Sequence, residues 1–106
     1  MRYHAVAQMR VTAPSWVRDY VANVTSMVER RGGRYLSRTA TIEKVEGERP
    51  APQAVVLIEW PSKEVAEEFY ASEEYRPYRE ARGRGAENEF LLVAGEDVNG
   101  VARIPG

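Results

Sequence analysis

The chain has 106 residues, a formal net charge of −1, 43% hydrophobic residues, one histidine and no cysteine. That length and apolar content support a single compact domain with one core and leave little room for a second. Without cysteine there are no disulfides, thiolate nucleophiles or thiolate metal sites, and the near-neutral charge gives no electrostatic case for nucleic acid or an anionic membrane as partner.

No apolar run reaches about 18 residues, so no membrane-spanning helix is expected. The N-terminal stretch MRYHAVAQMRV carries Arg10 within its apolar part and has no small-residue cleavage site, so it reads as a strand and not a signal peptide. A cytoplasmic protein is the expectation.

Residues 2–11 alternate, with Tyr3, Ala5, Ala7, Met9 and Val11 on one side and His4, Val6, Gln8 and Arg10 on the other. Period two predicts a strand with two different faces. Pro14 suits a first helical position, where its missing N–H costs nothing. From there to Arg31, Val17, Tyr20, Val21, Val24, Met27 and Val28 keep helical spacing. Gly32 and Gly33 then stop the helix.

RYLSRTATIEKVEG (34–47) is expected to be extended, as two short strands kinked near Thr39–Thr41, before a loop over 47–53 that contains Pro50 and Pro52. AVVLIEW (54–60) is nearly continuously apolar and predicts a central strand. Ser62 is placed to cap a second helix, with Glu64 in its first turn and Val65, Ala66, Phe69 and Tyr70 as the buried stripe. Ser72 can cap a further short helical piece, and Pro77 is expected to bend the chain. NEFLLVAG (88–95) is the last strand, and 96–106 form a tail without periodic pattern.

The order β-α-β-β-α-β predicts a ferredoxin-like α+β fold over residues 1–95: a four-stranded antiparallel sheet with two helices on one face. The other face is also partly apolar and has no helix left to cover it, so a homodimer is expected. RNA-recognition modules share this order, but they carry aromatic and basic residues on the sheet that AVVLIEWP does not supply.

GGRYLSR (32–38), VEG (45–47), VVLIEWPS (55–62), AEEFYASEEY (66–75) and LLVAG (91–95) together resemble the DUF1330 family of the dimeric α+β barrel superfamily. The resemblance covers roughly residues 2–95. It departs at Ala13, where the family often has a helix-capping aspartate, and at Thr39–Ala40, where a glycine pair is common. The resemblance implies two four-stranded sheets packed face to face, with helices outside. Relatives in the superfamily include cofactor-independent monooxygenases, lactone isomerases, polyketide cyclases and haem enzymes, and fold alone does not choose among them.

Two residues stand out as acid–base candidates. Glu59 interrupts an apolar central strand, where a carboxylate needs a partner or takes up a proton. An ion pair with an arginine such as Arg38 is the structural alternative. His4 is the lone histidine and titrates near neutrality in its ordinary state; it cannot build a multi-histidine metal site, and no metal is expected. Arg34 and Arg38, near Glu46, offer guanidinium forks for a carboxylate or phenolate or for an intersubunit ion pair.

Tyr20, Trp60, Tyr70 and Tyr75 are candidates to line a substrate pocket, with core packing as the alternative. The arginines of RPYREARGRG (76–85) read as a solvated helix face balanced by nearby glutamates. No phosphate loop or dinucleotide fingerprint is present. The expected function is that of a small dimeric enzyme that needs no cofactor and acts on an apolar or aromatic metabolite by proton transfer, isomerisation, cyclisation or monooxygenation. The alternative is a non-catalytic dimeric ligand-binding or accessory domain.

Overall fold

In a computed structural model that describes residues 1–100, strand β1 (Tyr3–Val11) leads through a 3-10 turn (Pro14–Trp16) into helix α1 (Val17–Arg30). Strands β2 (Arg34–Thr39) and β3 (Ala54–Trp60) follow, then helices α2 (Lys63–Ala71) and α3 (Arg76–Gly85), and strand β4 (Ala86–Ala94). The strands form one antiparallel sheet in the order β2-β3-β1-β4, the α+β, ferredoxin-like arrangement expected. Residues 101–106, more than half of the predicted tail, lie outside the described residues.

Strand parity sorts the side chains. Register sets Ala5 opposite Ile58 and Leu92, and Ala7 opposite Val56 and Phe90. This face meets the helices: Val24, Met27 and Val28 of α1, Ala66 and Phe69 of α2, and Tyr75 beside α3 form one buried cluster with Trp60, against which Ala5 and Ile58 pack. The opposite face carries Val6, paired with Leu57 and Leu91, and no helix covers it. Leu91 is 54% and Val93 40% exposed there.

Local chemistry explains the element ends. Ala13 is extended at the head of the 3-10 turn and offers no side-chain cap, as the departure from the family pattern predicts. Gly32 sits at φ +85°, a conformation that glycine adopts without Cβ strain. There the N–H groups of Gly32 and Gly33 donate to the carbonyls of Glu29 and Val28 at 3.1 and 3.0 Å, closing α1. The Ser62 hydroxyl accepts from the Val65 N–H at 3.2 Å and caps α2.

Two expectations differ from the structure. The segment after α1 is one strand and not two: β2 carries a bulge between Tyr35 and Ser37 and stops at Thr39. The Thr39 hydroxyl accepts from the Thr41 N–H at 2.9 Å, turning the chain out of the sheet into a mostly exposed stretch that includes Glu46. Pro77 does not bend the chain either. It falls in the first turn of α3, where no N–H is needed, and the break lies earlier, at Ser72 in an extended conformation. The Ser72 hydroxyl donates to the Phe69 carbonyl (2.7 Å) and accepts from the Tyr75 N–H (3.3 Å), serving both helices.

Candidate functional site

The middle of the sheet is lined by small residues on its helix side: Ala5 and Ala7 of β1 with Ala54 and Val56 of β3. Short side chains there cannot fill the space below the helices, and aromatic rings wall the gap without closing it. The result is a cavity of about 660 Å³ between sheet and helices, within the range of small-molecule sites. Trp16 from the 3-10 turn, Tyr20 from the start of α1, Trp60, Tyr70, Tyr75 and Phe90 line it. Trp16 stands edge-on to Tyr20, with centroids 5.3 Å apart, and Phe69 lies against Tyr75 at 4.4 Å.

Polar atoms around this cavity are few and concentrated. The hydroxyls of Tyr20 and Tyr75 lie 2.5 Å apart, and Arg82 Nη2 donates to the Tyr75 hydroxyl at 3.3 Å. Arg82 is only 3% exposed; its guanidinium lies 4.0 Å from the centre of the Phe90 ring. It makes no ion pair among the described residues, and its Nε has no hydrogen-bond partner.

Burial, reinforced by Tyr75, holds the Tyr20 phenol well above the ordinary phenol range. Burial opposes the charge on Arg82, but the phenol oxygens of Tyr75 and Tyr20 outweigh it and raise its pKa above the usual arginine value. The corner therefore sets one buried guanidinium against a pair of hydrogen-bonded tyrosine hydroxyls. At the far side of the cavity Arg38 donates to the Thr25 hydroxyl at 2.6 Å and stacks 4.0 Å over Tyr35, whose phenol burial also raises.

The candidate residues named from sequence fall into two groups that the fold keeps apart. Tyr20, Arg38, Trp60, Tyr70 and Tyr75 line the cavity. Glu59, His4 and Arg34 belong to the opposite sheet face, since His4 and Arg34 are the register partners of Glu59 on either side. Glu59 does not pair with Arg38. It accepts from Arg2 at 2.7 Å, lies 3.4 Å from Arg34, and has His4 Nε2 at 3.8 Å. Its side chain is 17% exposed, while those of Arg2 and Arg34 are 68% and 69% exposed.

Sequence reasoning missed Arg82, which was grouped with a solvated face, and Trp16 and Phe90. A signal was present for Arg82. Tyr75, Tyr78, Arg82 and Gly85 recur at spacings of three and four, one inward face of a helix. Among the described residues no group of three or more His, Asp or Glu side chains gathers as a metal site. No helix there is long and apolar enough to cross a membrane.

The sequence profile of a family described as a domain of unknown function, DUF1330, matches residues 2–96. No curated protein matches the chain. Among solved structures, a protein of unknown function from Rhodopseudomonas palustris is similar, at 16% identity and a TM-score of 0.75, covering 91% of this chain and 83% of that one. SnoaB, a cofactor-independent oxygenase from Streptomyces nogalater, is similar at 17% identity and a TM-score of 0.63, covering 94% of this chain and 98% of that one. An antibiotic biosynthesis monooxygenase matches at 12% identity and a TM-score of 0.59, covering 92% and 100%. At these identities the likeness is one of fold.

Proposed function

The chain belongs to the DUF1330 family, and from that premise we propose that it is a small homodimeric enzyme that binds a compact apolar or aromatic metabolite in the helix–sheet cavity and transforms it without metal or organic cofactor. The cavity carries this reading: about 660 Å³ of mostly apolar space with a few polar groups, the Tyr20–Tyr75–Arg82 corner on one side and Arg38 on the other, the composition expected of a small-molecule site. Tyr20, Trp60, Tyr70, Tyr75 and Arg38 are its substrate-binding residues. Proton transfer, isomerisation, cyclisation or oxygenation of a reactive substrate are the reactions in view, and the fold shared with an oxygenase and a monooxygenase supports that class.

The open sheet face is proposed as the dimer surface, in the cytoplasm. Val6, Leu57, Leu91 and Val93 supply its apolar part, and Glu59, His4 and Arg34 form a charged cluster at one end. One observation favours a second reading, ligand binding without catalysis. His4 and Glu59, the acid–base candidates, project from the face opposite the cavity, so neither reaches a molecule held there.

A neutral apolar fluorophore such as phenylnaphthylamine tests the cavity. Val56→Phe, on the helix side of β3, fills the space that the ligand needs. It is expected to abolish binding while the protein stays folded. Equal binding by both proteins, or none by the wild type, refutes the proposal.

A further inference from the structure

The polar corner contains more hydrogen-bond donors than its own members can use. Two phenols bring two O–H hydrogens, and a single bond joins their oxygens. Whichever phenol donates, the other hydrogen is left over. If Tyr20 donates to Tyr75, the Tyr75 hydrogen is unspent. If Tyr75 donates to Tyr20, the Tyr20 hydrogen is. Arg82 cannot absorb it, because a guanidinium only donates. Among the described residues no carbonyl or carboxylate accepts from either phenol. Buried donors are ordinarily satisfied, and both phenols belong to residues that line the cavity.

The second observation is the cation. Arg82 is buried without a carboxylate, and its Nε finds no partner. A desolvated charge next to a hydrogen-bond chain polarises that chain, and at low local dielectric the effect is large. With Arg82 pulling on the Tyr75 oxygen, the spare O–H becomes a stronger donor than a free phenol. Such fixed donors favour an oxygen that is negative or becomes so.

We propose that Tyr20 and Tyr75, backed by Arg82, form a donor site for one ligand oxygen, and that the cavity therefore takes an apolar molecule bearing a ketone or enolate oxygen. This rests on the reading of the cavity as a ligand site and adds the functional group to it. Whichever of Tyr20 and Tyr75 keeps its hydrogen free of the other donates to the ligand oxygen; Arg82 is a positioning residue that acts through the pair.

The proton count dictates the form of the test. Either phenol alone still has a hydrogen to offer, so only the double variant Tyr20→Phe/Tyr75→Phe removes the site. Two matched probes, acetonaphthone (a ketone) and ethylnaphthalene (its hydrocarbon counterpart), can be followed by quenching of Trp16 and Trp60 in the cavity wall. The double variant is expected to weaken the ketone about tenfold, as loss of one good hydrogen bond does, and each single variant less than about threefold. Ethylnaphthalene should stay within about twofold throughout.

A measurement on the wild type needs no variant. The infrared carbonyl band of bound acetonaphthone should lie below its position in alkane solvent, and Arg82→Met should move it part of the way back. A band at the alkane position, or a double variant that binds the ketone as well as the wild type, overturns the donor site while leaving the cavity reading intact. Failure of both probes to bind the wild type overturns the cavity reading and this inference with it.

Discussion

Replacing Glu59 by Gln removes one charge and little volume, and its cost depends on whether the open sheet face is covered. In the isolated chain the partners stay wet: the side chains of Arg2 and Arg34 are 68% and 69% exposed. Losing the carboxylate then strands no buried cation, and the glutamine oxygen still accepts from Arg2. A cluster of this exposure contributes about 0.2–1 kcal/mol. Packing a second copy against Val6, Leu57 and Leu91 would draw the same groups out of water. Removing the only anion would then leave desolvated guanidinium groups, at a cost of about 3–5 kcal/mol. For a domain of this size each kcal/mol moves the melting temperature by roughly 4–8 °C.

The homodimer proposal therefore predicts a fall of about 12 °C or more on Glu59→Gln, together with a melting temperature that rises with protein concentration. Thermal melts over a wide concentration range, paired with sedimentation velocity, measure both. A fall worth less than about 1 kcal/mol, with wild type and variant both monomeric and insensitive to concentration, refutes the covered face.

Gly85→Ala should destabilise by at least the ~1–3 kcal/mol typical of overpacking, seen as a lower urea midpoint. A Cβ there would overlap the Trp16 indole, which donates to the Gly85 carbonyl at 3.1 Å. Ala13→Asp, at an extended position with no side-chain cap, should add about 0.5–1 kcal/mol by accepting from the first N–H groups of the turn; an unchanged urea midpoint would contradict this. Because burial raises the phenol pKa values of Tyr20 and Tyr35, the folded state holds protons that the unfolded chain releases above about pH 10. Stability should be full below that pH and fall as pH rises past it, and Tyr20→Phe should show a shallower decline in chemical denaturation.

Strands β1 and β3 and helices α1 and α2 were legible because an apolar period, a cap or a glycine stop marked each one. Helix α3 was legible only in part. Its arginines and glycines make it polar nearly all round, and what holds it is tertiary: Tyr75, Tyr78 and Arg82 turned inward, and Gly85 against Trp16. The second half of the 34–47 segment was misread because Thr, Ile and Val favour strands, yet no neighbouring strand pairs with them beyond Thr39.

Five of the eight candidate residues, Tyr20, Arg38, Trp60, Tyr70 and Tyr75, line the cavity, and strand parity separates the other three from it. Glu59 and Trp60 are adjacent in one strand and so face opposite ways, which alone separates His4, Glu59 and Arg34 from the aromatic wall. Arg82 escaped notice because a buried arginine without a carboxylate is rare, and composition gives a charged run no hint of it.

The carbonyl of Gly85 accepts from the N–H groups of Thr12 and Ala13 and from the Trp16 indole, across a separation of 69 positions for the last. This makes the cavity a late product of synthesis. Strand β1 is made first but lies between β3 and β4, which are made afterwards, and the Trp16 indole N–H finds its acceptor only when residue 85 arrives. Contacts of such long range close slowly, and a chain still emerging from the ribosome lacks both the floor strand β4 and the fixed wall. A ligand of the cavity can therefore stabilise only the completed fold, by mass action. Its presence in the cell would raise the yield of finished protein without guiding the early steps of folding.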